Sequence, residues 1–216
     1  MNASPSRLLV ALLSTPLLAQ AAEPEQCQTV RFSDVGWTDI TVTTAVTSVV
    51  LEALGYKTHT TMISVPVTYK SLAAGKDLDV FLGNWMPTME NDIKQYRDAG
   101  TVETVRANLE NAKYTLAVPQ ALYDKGLKDF SDIPKFKDEL EGKIYGIEPG
   151  NAGNRTIQSM IDKNAFGLQD AGFTIVQSSA AGMLSQVDRS QKRGEAIVFL
   201  GWEPHPTNNR LTMQIL

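Results

Sequence analysis

Thr29-Val30-Arg31-Phe32-Ser33-Asp34-Val35-Gly36-Trp37-Thr38-Asp39 decides the fold. Thr29 to Val35 is β-rich, with Val30 and Phe32 on one face, which predicts a strand. Gly36 breaks it. Thr38 or Asp39 then caps a helix whose apolar positions, Val42, Ala45, Val46, Val49, Val50 and Leu54, keep helical spacing until Gly55. A strand–turn–helix unit of this kind, repeated along the chain, predicts an α/β fold with a largely parallel sheet.

The repeats follow in order. A second strand is expected near Lys57 to Ile63, a short helix after Ser64-Val65-Pro66 ending at Gly75, a third strand at Asp79 to Leu82, and a helix from Met89 to Ala99. The polar stretch Arg106 to Ala112 precedes a second set: strands at Lys113 to Val118 and Lys143 to Ile147, a turn at Pro149 to Asn154 and a helix at Arg155 to Asn164. Strands near Phe173 to Gln177 and Ala196 to Leu200 then flank a helix at Ala181 to Lys192. Two lobes result, 22–108 and 109–208.

Before residue 22, Arg7 precedes an apolar run from Leu8 to Ala19, and Ala19-Gln20-Ala21 has the small-x-small form of a signal-peptidase site. Residues 1–21 therefore read as a cleaved leader. The alternative of a retained anchor is opposed by the shortness of the run and by Ser14, Thr15 and Pro16 within it. Export predicts a mature protein starting near Ala22, periplasmic in a cell with two membranes. Without Arg7 the chain carries 19 basic against 24 acidic residues, a net of −5, in no long run of either sign. That balance argues against a nucleic-acid partner. Cys27 is the single cysteine, and in an oxidising compartment it reads as a buried free thiol or as one whose partner is missing.

Little supports catalysis. His59 and His205 are the only imidazoles, and neither lies in a metal-ligand or nucleophile motif, so no metal, cofactor or catalytic residue is expected. Residues 150–156, Gly-Asn-Ala-Gly-Asn-Arg-Thr, lie where backbone N–H groups could cradle an anion but lack the lysine of a P-loop, so they read as a tight turn needing glycine.

The tryptophans carry more. Trp37, Trp85 and Trp202 each fall at the expected C-terminal end of a strand, where open α/β sheets bind ligands. Taken singly, each is as readily a core residue. Their shared placement points to a site, and converging aromatic faces suit a cation that cannot donate hydrogen bonds, such as a trimethylammonium group.

Four stretches resemble the substrate-binding proteins of ABC importers for glycine betaine, choline and related compounds: residues 31–39, residues 79–87 (Asp-Val-Phe-Leu-Gly-Asn-Trp-Met-Pro), residues 146–153 (Gly-Ile-Glu-Pro-Gly-Asn-Ala-Gly) and residues 199–205 (Phe-Leu-Gly-Trp-Glu-Pro-His). The choline-binding branch looks most similar. The resemblance implies a two-lobe periplasmic-binding-protein fold, type II-like, with the ligand cleft between lobes. It implies an aromatic box of Trp37, Trp85, Tyr114 and Trp202, with Asp39 and Asn151 holding choline's hydroxyl. Read from its own residues, Tyr114 is a plain strand aromatic, Asp39 a helix cap and Asn151 a turn residue.

The resemblance also implies a monomeric carrier that delivers a quaternary ammonium ligand to the membrane subunits of an importer and catalyses nothing. Glycine betaine, proline betaine or carnitine is the alternative ligand. A secreted choline-ester hydrolase is the alternative of another class, and it lacks a recognisable nucleophile and base. Family members continue past the strand bearing Trp202 and return to the first lobe; residues 209–216 read as the start of that return. The C-terminal part of lobe one is therefore expected to be missing, which would leave apolar surface exposed and, on the second reading of Cys27, remove its partner.

Overall fold

A computed structural model describes residues 24–216, so the expected leader, 1–21, lies outside the described residues. Fourteen helices and strands alternate as the sequence periodicity requires: β1 (Thr29–Asp34), α1 (Thr38–Ala53), β2 (Lys57–Met62), α2 (Val65–Ala74), β3 (Val80–Phe81), α3 (Glu90–Asp98), β4 (Lys113–Pro119), α4 (Gln120–Asp124), β5 (Lys143–Tyr145), α5 (Ala152–Asp162), β6 (Thr174–Val176), α6 (Ala180–Arg193), β7 (Phe199–Glu203) and β8 (Met213–Ile215). Residues 99–112, between α3 and β4, carry neither helix nor strand.

Two sheets divide these strands. The first is parallel throughout, in the order β2-β1-β3, with Phe32 of β1 opposite Thr60 and Val80. The second runs β6-β5-β7-β4-β8 and is mixed, which corrects the expectation of a largely parallel sheet: β5 is parallel to β6 and β7, whereas β4 is antiparallel to β7 and β8. The reversal arises because β4 enters the sheet after the long crossing 99–112 and not through a crossover helix. Residues 209–216 do not return to the first sheet. Met213–Ile215 pairs with Ala117–Pro119 at the edge of the second, where Met213, Ile215 and Leu216 pack on its core.

Local chemistry accounts for the joints that matter. Gly36 takes φ +81 between β1 and α1, and its N–H donates to the buried Asp34 carboxylate at 2.7 Å. Ser33 on β1 and Thr68 on α2 share a buried hydroxyl contact at 2.6 Å, fixing the helix against the sheet. Pro66 in its first turn and Gly75 in the left-handed region bound α2. The core of the second sheet is apolar on both faces: Leu116, Ala117 and Val118 of β4, Ile144 of β5 and Phe199 and Leu200 of β7 are buried, covered by Ile157 and Ile161 of α5 and by Met183 and Val187 of α6. Each such side chain contributes roughly 1.5–3 kcal/mol of burial free energy.

Helix α1 is the exception. Its buried residues are Ile40 and Thr44, while Val42, Val46, Val49, Val50 and Leu54, the stripe that defines its helical spacing, are 53–69% exposed. Met62 of β2 is exposed as well. Cys27 is a free, exposed thiol, so it is not the buried one that was an alternative.

Candidate aromatic site

The two sheets meet at a narrow cavity, with about 10 Å3 of free space, lined by Trp37, Trp85, Met89, Tyr114, Ile147, Asn151 and Trp202. Free space of that size holds about one water, so a ligand enters only when the rings move apart. Trp37 is the N-cap residue of α1, delivered by the Gly36 turn and 5% exposed. Trp85 follows β3, and its backbone carbonyl accepts the N–H of Met89, which brings the thioether under the indole's own turn. Tyr114 and Trp202 sit opposite each other on β4 and β7. Ring centroids lie 5.9 Å apart for Trp85 and Tyr114 and 6.3 Å for Tyr114 and Trp202, tilted or edge-on, so the rings wall a space and do not stack it shut.

The antiparallel register explains a second difference from the sequence. Trp202 lies inside β7, which runs to Glu203, and not beyond its end. The extra strand length exists because β4, absent from a simple parallel scheme, pairs Lys113–Ala117 with Phe199–Glu203.

Polar groups stand behind the rings. Trp202 Nε1 donates to Asp39 Oδ1 at 3.2 Å. Asp39 is in the first turn of α1, but the cap position belongs to Trp37, so the cap reading of Asp39 is corrected. Burial raises the Asp39 carboxyl above its ordinary range; the Trp202 N–H, nearby backbone N–H groups and His205 counter part of that rise. His205 packs edge-on against Trp202 at 4.7 Å and accepts the Thr207 N–H at Nδ1, and burial lowers its pKa. His59 is exposed on β2.

Asn151 is the N-cap of α5, with backbone φ −66, and α5 therefore begins three residues earlier than its expected start. Its Oδ1 accepts from Gly153 N–H and from the Tyr114 hydroxyl, both at 2.8 Å, and its Nδ2 donates to Glu148 Oε1 at 2.9 Å. Tyr114 is pushed well above the usual phenol range, chiefly by burial and then by Glu148, so the hydroxyl stays protonated and donates. With both Oδ1 lone pairs used, Asn151 has one Nδ2 hydrogen left to offer a ligand. Glu148 Oε1 also accepts from Trp37 Nε1 at 3.1 Å.

All six expected site residues thus converge, five on the cavity wall and Asp39 behind Trp202. Met89, Ile147, Glu148 and His205 were missed. Glu148 lies in the Gly146–Gly153 stretch as its one acidic residue, a signal that was legible; Met89 follows Trp85 at helical spacing. Residues 150–156 are occupied by their own side chains, since Arg155 bonds Gly150 O and pairs with Asp92 at 2.6 Å. Among the described residues no group of three His, Cys, Asp or Glu could hold a metal ion.

Gly153 is required by close approach. A Cβ there would lie 2.6 Å from Tyr114 Cζ, so Gly153→Ala is expected to push the phenol into the cavity or break its bond to Asn151. Loss of ligand binding with retained helical circular dichroism is the expected result, and unaltered binding would show that Tyr114 can move freely.

A parallel-and-mixed two-sheet α/β fold with a small aromatic cavity between the sheets is that of a solute-binding domain. The chain belongs to the OpuAC family, the substrate binding domain of ABC-type glycine betaine transport systems, whose model matches residues 28–216. It is 61% identical to an ABC-transporter choline binding protein solved in complex with choline, with a TM-score of 0.83 over 89% of this chain and 65% of that one. The same level of identity relates it to a choline binding protein in an unliganded semi-closed conformation, with a TM-score of 0.78 over 89% of this chain and 66% of the other. An uncharacterized protein of Chromohalobacter salexigens is 51% identical over 148 residues, 68% of this chain and 95% of that protein. The chain therefore spans just under two thirds of the solved choline-binding structures.

Proposed function

We propose that this chain captures choline in the cavity and, as part of an importer's exported binding protein, delivers it to membrane subunits. The carrying observation is the four-ring wall, with the half-buried Asp39 carboxylate held behind Trp202. Each ring facing a trimethylammonium group is worth roughly 0.5–2 kcal/mol, and a micromolar complex needs about 8 kcal/mol. Four rings, one Asn151 N–H donated to choline's oxygen and one Asp39 oxygen that accepts its hydroxyl reach that range. Trp37, Trp85, Tyr114 and Trp202 are the proposed cation wall; Asp39 and Asn151 are the proposed hydroxyl partners. On this reading 22–108 and 109–208 act as the two lobes that close on the ligand.

Glycine betaine and its relatives are the second reading, favoured by the family's description. Calorimetric titration with choline, glycine betaine, proline betaine and carnitine decides between them. Choline binding tightest is the expected result, and a preference for a zwitterion would overturn the choline assignment.

The pH dependence has a definite sign. A bound cation favours ionised Asp39, so protons compete with choline. Affinity should be flat at neutral pH and fall as pH drops through the Asp39 titration, which burial has moved upward. The fall therefore starts at higher pH than an ordinary carboxylate would give, and Asp39→Asn should flatten it. Titrations across acidic pH check this.

A further inference from the structure

Two indole–carboxylate hydrogen bonds cross the cleft in opposite senses. Trp37, at the end of β1, donates to Glu148, which follows β5 of the second sheet, at 3.1 Å. Trp202, on β7 of the second sheet, donates to Asp39 on α1 at 3.2 Å. Each side thus supplies one donor and one acceptor. Both indoles are 5% exposed, whereas the other charged pair across the cleft, Arg155 with Asp92, has an arginine side chain 47% exposed at the rim, where salt screens it. These bonds can exist only while the two sides are together.

We propose that Glu148 is a positioning residue that latches the closed form: its carboxylate holds Trp37 across the cleft and, through Asn151 Nδ2, orients the amide that holds the Tyr114 hydroxyl. One carboxylate oxygen serves both donors. The same contact therefore closes the cleft and sets the wall of the box. This deepens the choline reading and rests on it only for the choice of ligand. A latch changes the fraction of protein in the binding-competent state, so it scales every ligand's apparent affinity by one factor, whatever that ligand's charge. A carboxylate acting by its field on the cation would instead discriminate by charge.

The variants Glu148→Gln and Trp37→Phe, made singly and together, separate these cases. Both are close in shape to the native residue, and thermal unfolding confirms that they fold. Pulsed-EPR distances between nitroxides at Gln95→Cys on α3 and Asp162→Cys on α5, both exposed positions, in a Cys27→Ser background, read the closed fraction without ligand. Glu148→Gln replaces a charge-assisted bond by a neutral one of about half the strength, so the closed-to-open ratio should fall about three- to tenfold. In the Trp37→Phe background the same substitution should add little, since the donor is already gone.

Affinities of Glu148→Gln for choline, for tetramethylammonium and for uncharged 3,3-dimethylbutan-1-ol should all fall by one common factor, the ratio of the native to the variant closed fraction. An unchanged closed fraction overturns the latch, as does a loss confined to the two cations. If the closed fraction shifts as expected while the native chain binds none of the three ligands, the latch stands and the quaternary ammonium reading fails.

Discussion

Trp202→Ala is expected to weaken choline by about tenfold to a thousandfold or more and to lower the midpoint of thermal unfolding by about 6–20 °C. The indole has four roles at once: it is a wall of the cavity, it donates to Asp39, it meets Tyr114 edge-on at 6.3 Å, and it packs on His205 at 4.7 Å. Truncation removes a cation–π face of roughly 0.5–2 kcal/mol and leaves the Asp39 carboxylate without its charge-assisted donor, a further loss of about 1–3 kcal/mol in pre-organisation. The stability cost of a buried tryptophan is about 3–5 kcal/mol, and in a domain of this size each kcal/mol moves the midpoint by roughly 2–4 °C. Trp202→Phe separates the roles by keeping a ring and losing the N–H; about a tenfold loss is expected. Calorimetry and thermal unfolding check both variants. Choline affinity within tenfold of the native value in Trp202→Ala would remove this ring from the box.

Asp39→Asn is expected to narrow the choline-to-betaine preference by tenfold or more. Like charges about 4 Å apart at an effective dielectric of 20 repel by about 4 kcal/mol, so ionised Asp39 should disfavour a zwitterion's carboxylate. Asparagine can still offer its Oδ1 to Trp202, but its second polar atom is then an NH2, a donor in place of an acceptor. Choline loses its acceptor and betaine gains a donor. The ligand-free protein should be no less stable. Burial raises the folded-state pKa of Asp39, so the folded chain holds that proton more tightly than the unfolded one, and above the titration the ionised group subtracts stability. A neutral amide removes that cost. Titrating both ligands against both proteins is the check, and an unchanged ratio would leave Asp39 as only a partner of Trp202.

The legible parts of the molecule were those set by local chemistry. Gly36 between an alternating strand and a capped helix fixed Trp37, and the punctuation by Gly75 and Gly100 bounded α2 and α3. What escaped depends on partners distant in sequence. Trp202 inside β7 follows from pairing with Tyr114, 88 positions away, and no periodicity announces an antiparallel neighbour. That the edge strand β8 pairs with β4 could not be read either, because Leu211 to Leu216 reads as a strand in any sheet. The valine stripe of α1 has the spacing of a buried face and is exposed, since only Ile40 and Thr44 turn toward the interior. Glu148 was visible as a residue but not as an acceptor, because its donor lies 111 positions away.

All three tryptophans of the sequence line one narrow cavity. The indole emission of these 216 residues therefore reports on that cavity. A melt followed by emission reads the parting of the two sheets, whereas far-ultraviolet dichroism reads the loss of the helices. Any gap between the two curves measures how far the cleft opens before either sheet unfolds, an optical readout of domain motion that needs no label.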